Sequence, residues 1–229
     1  MPRFLLPVEK NNLSDLAYQA LKQALLSGRF QPGERLVLRD VAADLQTSLT
    51  PVRDAINHLI AERVLDRGPG GQKGGATVPC LDAAQFHQLM LLRADLESRL
   101  AEAAARNIRE QDIGQLQQLV EKMQDTIDRP NKNTYLDLHR RFHFTLYAYA
   151  GLDVVLDITE TLWLRCGPAL NAVLSDYVPR LKRRDHHSDA VQWLRKGEPA
   201  KVAESIRQDI TEAGIYISQQ LECEEQRTN

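Results

Sequence analysis

Residues 64–79, VLDRGPGGQKGGATVP, set five glycines, a proline and a lysine between two short β-capable runs. Such a stretch cannot continue a helix, since glycine and proline are the costliest residues in a helix interior, by about 1 and 3 kcal/mol relative to alanine. It reads as a hairpin with a long tip. Three helical segments precede it. LSDLAYQALKQALLSGRF spaces Leu13, Leu16, Ala17, Ala20, Leu21, Ala24 and Leu25 by threes and fours, with Ser14 as cap and Gly28 as terminator. VLRDVAADL follows as a short helix. LTPVRDAINHLIAERV then offers a capping hydroxyl at Thr50, proline at the first helical position, and Val52, Ala55, Ile56, Leu59 and Ile60 on one face. Helix, helix, helix, hairpin is the order of a winged helix-turn-helix, expected over residues 1–79.

From Leu81 onward the periodicity is almost entirely helical, broken at DRPNKN, Gly151, CGP, VPRLKRRD and KGEP, which leaves about six helices. The expected fold is therefore mainly α: a winged helix-turn-helix, then an all-α antiparallel bundle over residues 80–229. Charge is read by segment. Residues 1–78 carry ten Lys+Arg against eight Asp+Glu, within a chain whose net charge is -2, so a polyanion partner belongs at the N-terminal end. Cys80, Cys166 and Cys223 lie far apart with no CxxC pair, which argues against a disulfide framework or zinc knuckle and for a reducing compartment. The opening MPRFLLPVEK is too short an apolar run for a signal peptide, and no run approaches the ~18 residues of a membrane span. A cytoplasmic protein with no membrane partner is expected.

In a helix-turn-helix the second helix enters the major groove by its N-terminal end, so the contacts should cluster in SLTPVRD. Ser48 and Thr50 can donate to phosphate, and the helix N-terminus itself favours an anion. Arg53 can pair bidentately with a guanine edge or grip a phosphate. Arg35 and Arg39 are placed to hold the backbone of double-stranded DNA, and the tip with Lys73 and Gly74 is slim enough for a minor groove. Taken singly, these residues read more readily as solvated charges, a helix cap and an ordinary loop; it is their combination in this order that favours DNA contact.

A second feature is DLHRRFH, residues 137–143. His139 and His143, four apart, share one helix face within reach of one ion, yet a pair alone reads more readily as a polar face than as a metal site. Further candidates come from DHHSDAVQWLRKGEPAKVAESIRQD. There His187 precedes one helix, KGEP reverses the chain, and Asp209 on the returning helix can stand beside His187; His186 is the rival for that place.

LLSGRFQPGERL, RDVAADL, TPVRDAINHL and VLDRGPGGQKGGATV together resemble the GntR family of bacterial transcriptional regulators. The C-terminal half is similar to the helical ligand-sensing FCD domain of its FadR-type branch. One departure is Leu49, where the family usually has arginine; leucine cannot hydrogen-bond a base but can touch a thymine methyl. The resemblance implies a regulator, a repressor in the first reading and an activator in the alternative, whose 80–229 domain binds effector and dimerises; palindromic half-sites also call for a two-fold protein. It also implies a divalent metal held by His139, His143, His187 and Asp209, the family's three histidines and one aspartate with His139 and Asp209 in exchanged roles. Four N/O ligands suit Zn²⁺ or Ni²⁺ and also admit Mn²⁺. By the same resemblance Arg93 would hold the carboxylate of a small organic acid effector; the alternative for Arg93 is a surface ion pair with Asp95 or Glu97. Trp163, Trp193 and Tyr147 read as core or pocket wall. The competing function is a metal-dependent hydrolase or lyase, which needs a general base near the ion; Glu160, Asp137 and Asp189 are the acids at hand.

Overall fold

The computed structural model describes residues 12–68, 75–128, 132–177 and 185–228. In the N-terminal module α1 (Asn12–Leu26), α2 (Leu38–Asp44) and α3 (Leu49–Ala61) pack beside a small antiparallel sheet. Its strands β1 (Arg35–Leu36), β2 (Asp66–Arg67) and β3 (Ala76–Thr77) lie in the order β1-β3-β2, with Arg35 and Asp66 both opposite Thr77. The strands on either side of the glycine-rich stretch pair antiparallel, as expected of a hairpin, and β1, from the turn between α1 and α2, adds a third strand. Leu21, Leu25, Val52, Leu59, Leu65 and Val78 fill the core.

Local details differ from expectation. α1 begins at Asn12, so Ser14 lies inside the first turn, where its hydroxyl faces Asp54 at 3.4 Å. Leu13 and Leu16 are 56% and 57% exposed. Only the Ala17, Leu21 and Leu25 edge of the stripe meets the core. α3 starts at Leu49 with Ser48 as N-cap, so Thr50 is helical and Pro51 falls in the first turn, where its missing N–H leaves no bond unmade.

The bundle comprises α4 (Ala83–Asn107), α5 (Glu110–Asp128), α6 (Lys132–Tyr147), α7 (Asp153–Tyr177), α8 (His186–Arg195) and α9 (Pro199–Thr228). Six helices among the described residues match the expected number. α4 opens with a capping box, Asp82 accepting from the Gln85 N–H while the Gln85 side chain accepts from Asp82 N–H. CGP does not break a helix: α7 runs through Gly167 and Pro168. A Cβ on Gly167 would stand 3.0 Å from the Leu25 carbonyl oxygen, so the glycine admits the backbone of α1. Leu164 of α7 is buried in the core of the N-terminal module, Asn171 donates to the Gly28 carbonyl, and Lys22 pairs with Glu160. A helix of the C-terminal half therefore completes the N-terminal core, which no boundary at residue 79 anticipates.

Candidate metal centre and nucleic-acid interface

α6 supplies His139 and His143, α8 supplies His187 and α9 supplies Asp209 to one spot. One ligand atom from each of the four lies within 4.8 Å of the others, and all but the half-buried His139 are buried. His143 Nε2 is 3.2 Å from both His139 Nε2 and His187 Nε2. Asp209 Oδ2 is 3.5 Å from His139, 3.4 Å from His143 and 3.6 Å from His187. Tetrahedral ligand atoms about 2.0–2.2 Å from one ion stand about 3.3–3.6 Å apart, so these spacings fit a single ion.

The hydrogen bonds behind the histidines fix which nitrogen carries a hydrogen. Tyr147 donates its hydroxyl to Glu97 Oε2 at 2.8 Å, so its oxygen accepts from His143 Nδ1, also at 2.8 Å. That leaves the His143 Nε2 lone pair facing the cluster. His187 Nδ1 meets Asp185 Oδ1 at 3.2 Å; a carboxylate only accepts, so Nδ1 carries a hydrogen and, in the neutral ring, the Nε2 lone pair also faces inward. Two lone pairs and a carboxylate converging in a buried site repel unless a proton or a metal cation joins them. Charge follows burial. Burial pushes His143 well below, and His139 below, the ordinary imidazole range, with Asp209 opposing in both cases. Burial also acts against a charged His187, but Asp209 and Asp185 outweigh it and raise its value. Burial opposes ionisation of Asp209, yet the surrounding imidazoles hold it well below the usual carboxylate range.

His186, the rival, turns away: its Nε2 lies 2.9 Å from Glu212 Oε2. Adjacent helical residues point about 100° apart, so only one of the two can join the cluster.

Arg93 is 1% exposed, and its Nε donates to Glu97 Oε1 at 2.7 Å. The pairing with Glu97 therefore exists, four residues apart, but it is buried rather than on the surface. Burial disfavours the cation, and Glu97 more than offsets it, so the guanidinium holds its proton above the ordinary arginine range. Trp163 lies over the guanidinium at 4.1 Å. Arg93, His139 and Asp209 line one small enclosed cavity, walled otherwise by apolar side chains such as Met90, Leu136, Leu170 and Ile210. Glu97, Tyr147 and Asp185, the groups that orient the candidate ligands, were not singled out as such from sequence. Only the four-residue spacings of Arg93 to Glu97 and His143 to Tyr147 hinted at two of these contacts.

On the N-terminal module Ser48, Thr50 and Arg53 are exposed around the start of α3, and Arg35 and Arg39 are exposed on β1 and α2. Leu49, 39% exposed, stands between Ser48 and Thr50. Lys73 and Gly74 lie outside the described residues. Of the acids weighed as a general base, Glu160 is held by Lys22 at the junction of the two modules, and Asp137 by Arg140 and Arg141.

A winged helix-turn-helix joined to a helical bundle that encloses a polar centre defines a DNA-binding transcriptional regulator. The FCD domain model matches residues 88–212, and the model for bacterial regulatory proteins of the gntR family matches residues 13–73; the chain belongs to the FCD branch of that family. It is 29% identical over 192 residues to the HTH-type transcriptional regulator McbR of Escherichia coli (strain K12), covering 84% of this chain and 85% of that protein. It is 32% identical over 137 residues to the Nta operon transcriptional regulator of Aminobacter aminovorans, covering 60% and 63%. The solved structure of E. coli McbR/YncC superposes with a TM-score of 0.81 at 25% identity, covering 91% of this chain and 97% of that one. These proteins are transcriptional regulators, not enzymes, and the hydrolase or lyase reading finds no support.

Proposed function

We propose that this regulator is a homodimeric, cytoplasmic repressor of operator DNA whose helical domain senses a small organic acid at a divalent metal held by His139, His143, His187 and Asp209. The observation that carries the reading is the buried set of inward lone pairs and one carboxylate, their tautomers set by Tyr147 and Asp185. Zn²⁺ or Ni²⁺ suits the donor set and Mn²⁺ is admitted; when bound, the ion supplies a Lewis-acidic point to which a carboxylate can bind. Arg93 lines the cavity beside His139 and Asp209, where its outer nitrogens can take the same carboxylate as a bidentate partner. Glu97 and Tyr147 tie the two halves together: one carboxylate orients Arg93 directly and His143 through the tyrosine hydroxyl.

DNA contact rests on Ser48, Thr50 and Arg53 at the start of α3, on Arg35 and Arg39 flanking it, and on Lys73 and Gly74. A palindromic operator requires two such helices, hence the dimer. A route between the two sites is short. Trp163 of α7 covers Arg93, and the next residue, Leu164, lies in the N-terminal core. The test is metal analysis of carefully purified protein, followed by gel-shifts on its own upstream DNA with EDTA and with Zn²⁺, Ni²⁺ or Mn²⁺ restored, in the presence of small carboxylates. One ion per chain and a metal-dependent carboxylate effect on DNA affinity are expected. Protein that neither contains nor takes up an ion refutes the sensing mechanism while leaving DNA binding intact.

A further inference from the structure

A second cavity, of about 610 Å³, lies between the two modules, and none of the four candidate metal ligands lines it. Its size is ordinary for ligand sites, which span about 300–1,000 Å³. Its walls include Arg63 and Asp66 from the N-terminal module, the connecting residues 79–81, Gln85, Gln88 and Leu92 from α4, and Arg165 from α7. We propose that this cleft is a metal-independent binding site for a small oxyanion-bearing molecule, gripped by Arg63 from one module and Arg165 from the other.

Three observations converge. First, among the described residues neither arginine forms an ion pair with a carboxylate, a state they share with exposed arginines such as Arg53 and Arg99, but here two such guanidiniums line one cleft. Two guanidiniums against the single carboxylate of Asp66 leave the cleft net positive. Second, the donors are varied: the Gln85 carbonyl oxygen accepts from Asp82 N–H, which leaves its amide hydrogens for another acceptor. Arginine forks and neutral amides together match an oxyanion, and Leu92, 52% exposed, offers an apolar surface for the body that carries it. Third, Arg63 has a φ of +58° just past the end of α3. Its N–H bonds to the Ile60 carbonyl and the Val64 N–H to that of Leu59, a closure that usually takes glycine in this position. α1 ends by the same closure on Gly28. Arginine holds the left-handed position at a backbone cost, and its side chain lines the cleft.

An anion bridging Arg63 and Arg165 would add to the contacts by which α7 already holds the DNA-binding module, and whatever change it made in DNA affinity, DNA would make equally in anion affinity.

The experiment uses the full chain, with inorganic phosphate and acetate as probes and chloride at matched ionic strength as reference, read by melting temperature and calorimetry. A saturable rise with phosphate, acetate or both is expected, and it tells which oxyanion the cleft prefers. Arg165→Gln and Arg63→Gly should each weaken binding about ten-fold or more, as expected for loss of a charged hydrogen-bond partner. Arg63→Gly should melt no lower than the parent in chloride, because glycine relaxes the left-handed backbone; loss of binding is then separate from loss of fold. EDTA-treated protein should keep the response. The proposal is overturned by a response no greater than that to chloride, by one that survives both substitutions, or by one that EDTA abolishes, which would place the anion at the histidines. Substitutions that change only dimer dissociation would overturn it too, by showing that a second copy covers the cleft.

Discussion

The two polar regions of this molecule obey opposite rules. Around the start of α3, Ser48, Thr50 and Arg53 stand in solvent, close together in sequence, and none needs a neighbour to keep its shape. At the histidine centre every group is held by another: His143 by Tyr147, Tyr147 by Glu97, Glu97 by Arg93, and His187 by Asp185. An exposed polar residue gives up little hydration, so it is free to serve a partner and cheap to remove. A buried one has lost its water, so removing a single partner leaves the others uncompensated. The centre should thus behave as one structural unit, and the candidate DNA-binding surface as separate side chains.

The sharpest way to break this contrast is Arg93→Met. It strands a buried Glu97 carboxylate, and breaking a buried ion pair from one side costs about 3–5 kcal/mol. Denaturant unfolding should register most of that loss, and adding Glu97→Leu should recover much of it. A single variant as stable as the parent would show that the pair is dispensable.

Next comes His143→Ala. An ion bound only by the folded chain, at a free concentration about 100 times its Kd, contributes about 2.7 kcal/mol, which for a protein of this size is about 5–11 °C in Tm. Metal content and Tm should fall together, and EDTA should lower the parent's Tm but not the variant's. His186→Ala is the control and should keep its metal, since His186 faces Glu212.

Tyr147→Phe probes how far the unit extends. It removes only a hydroxyl, yet His143 loses the acceptor that fixes its tautomer, and such outer contacts typically carry about 10–100-fold in metal affinity. Competition with a chelator would measure it; unchanged affinity would confine the unit to the four ligands.

The smallest effect on the fold is expected from Arg53→Ala. Stability should stay within about 0.5 kcal/mol, as for an exposed substitution. DNA affinity should fall by about 1–3 kcal/mol if Arg53 reads a base edge, and specific and non-specific binding should fall together if it grips a phosphate. A destabilised fold would break the contrast from the other side.

The sequence by itself determined the order of elements: three helices, a glycine-rich hairpin and six further helices follow from periodicities of a few residues and from local backbone preference. It also determined the candidate DNA contacts, because a recognition helix presents the first turn of one short segment. The four-residue spacing of His139 and His143 put them on one face without any tertiary information.

Tertiary structure decided what burial and register control. Whether His186 or His187 turns inward depends on the rotation of α8 against α9, and one residue of slip moves a side chain by about 100°. Whether Arg93 and Glu97 form a surface pair or a buried one depends on what covers them, and Trp163, seventy residues further along the chain, does so. The apolar stripe of α1 is wider than the surface it meets, so only packing shows that Leu13 and Leu16 stay outside. The join between the modules rests on contacts such as Leu164 in a core otherwise built from residues 17–78. Local preference acts over a helical turn; burial is a property of the whole fold, and it alone turns a line of polar residues into a buried, charged centre.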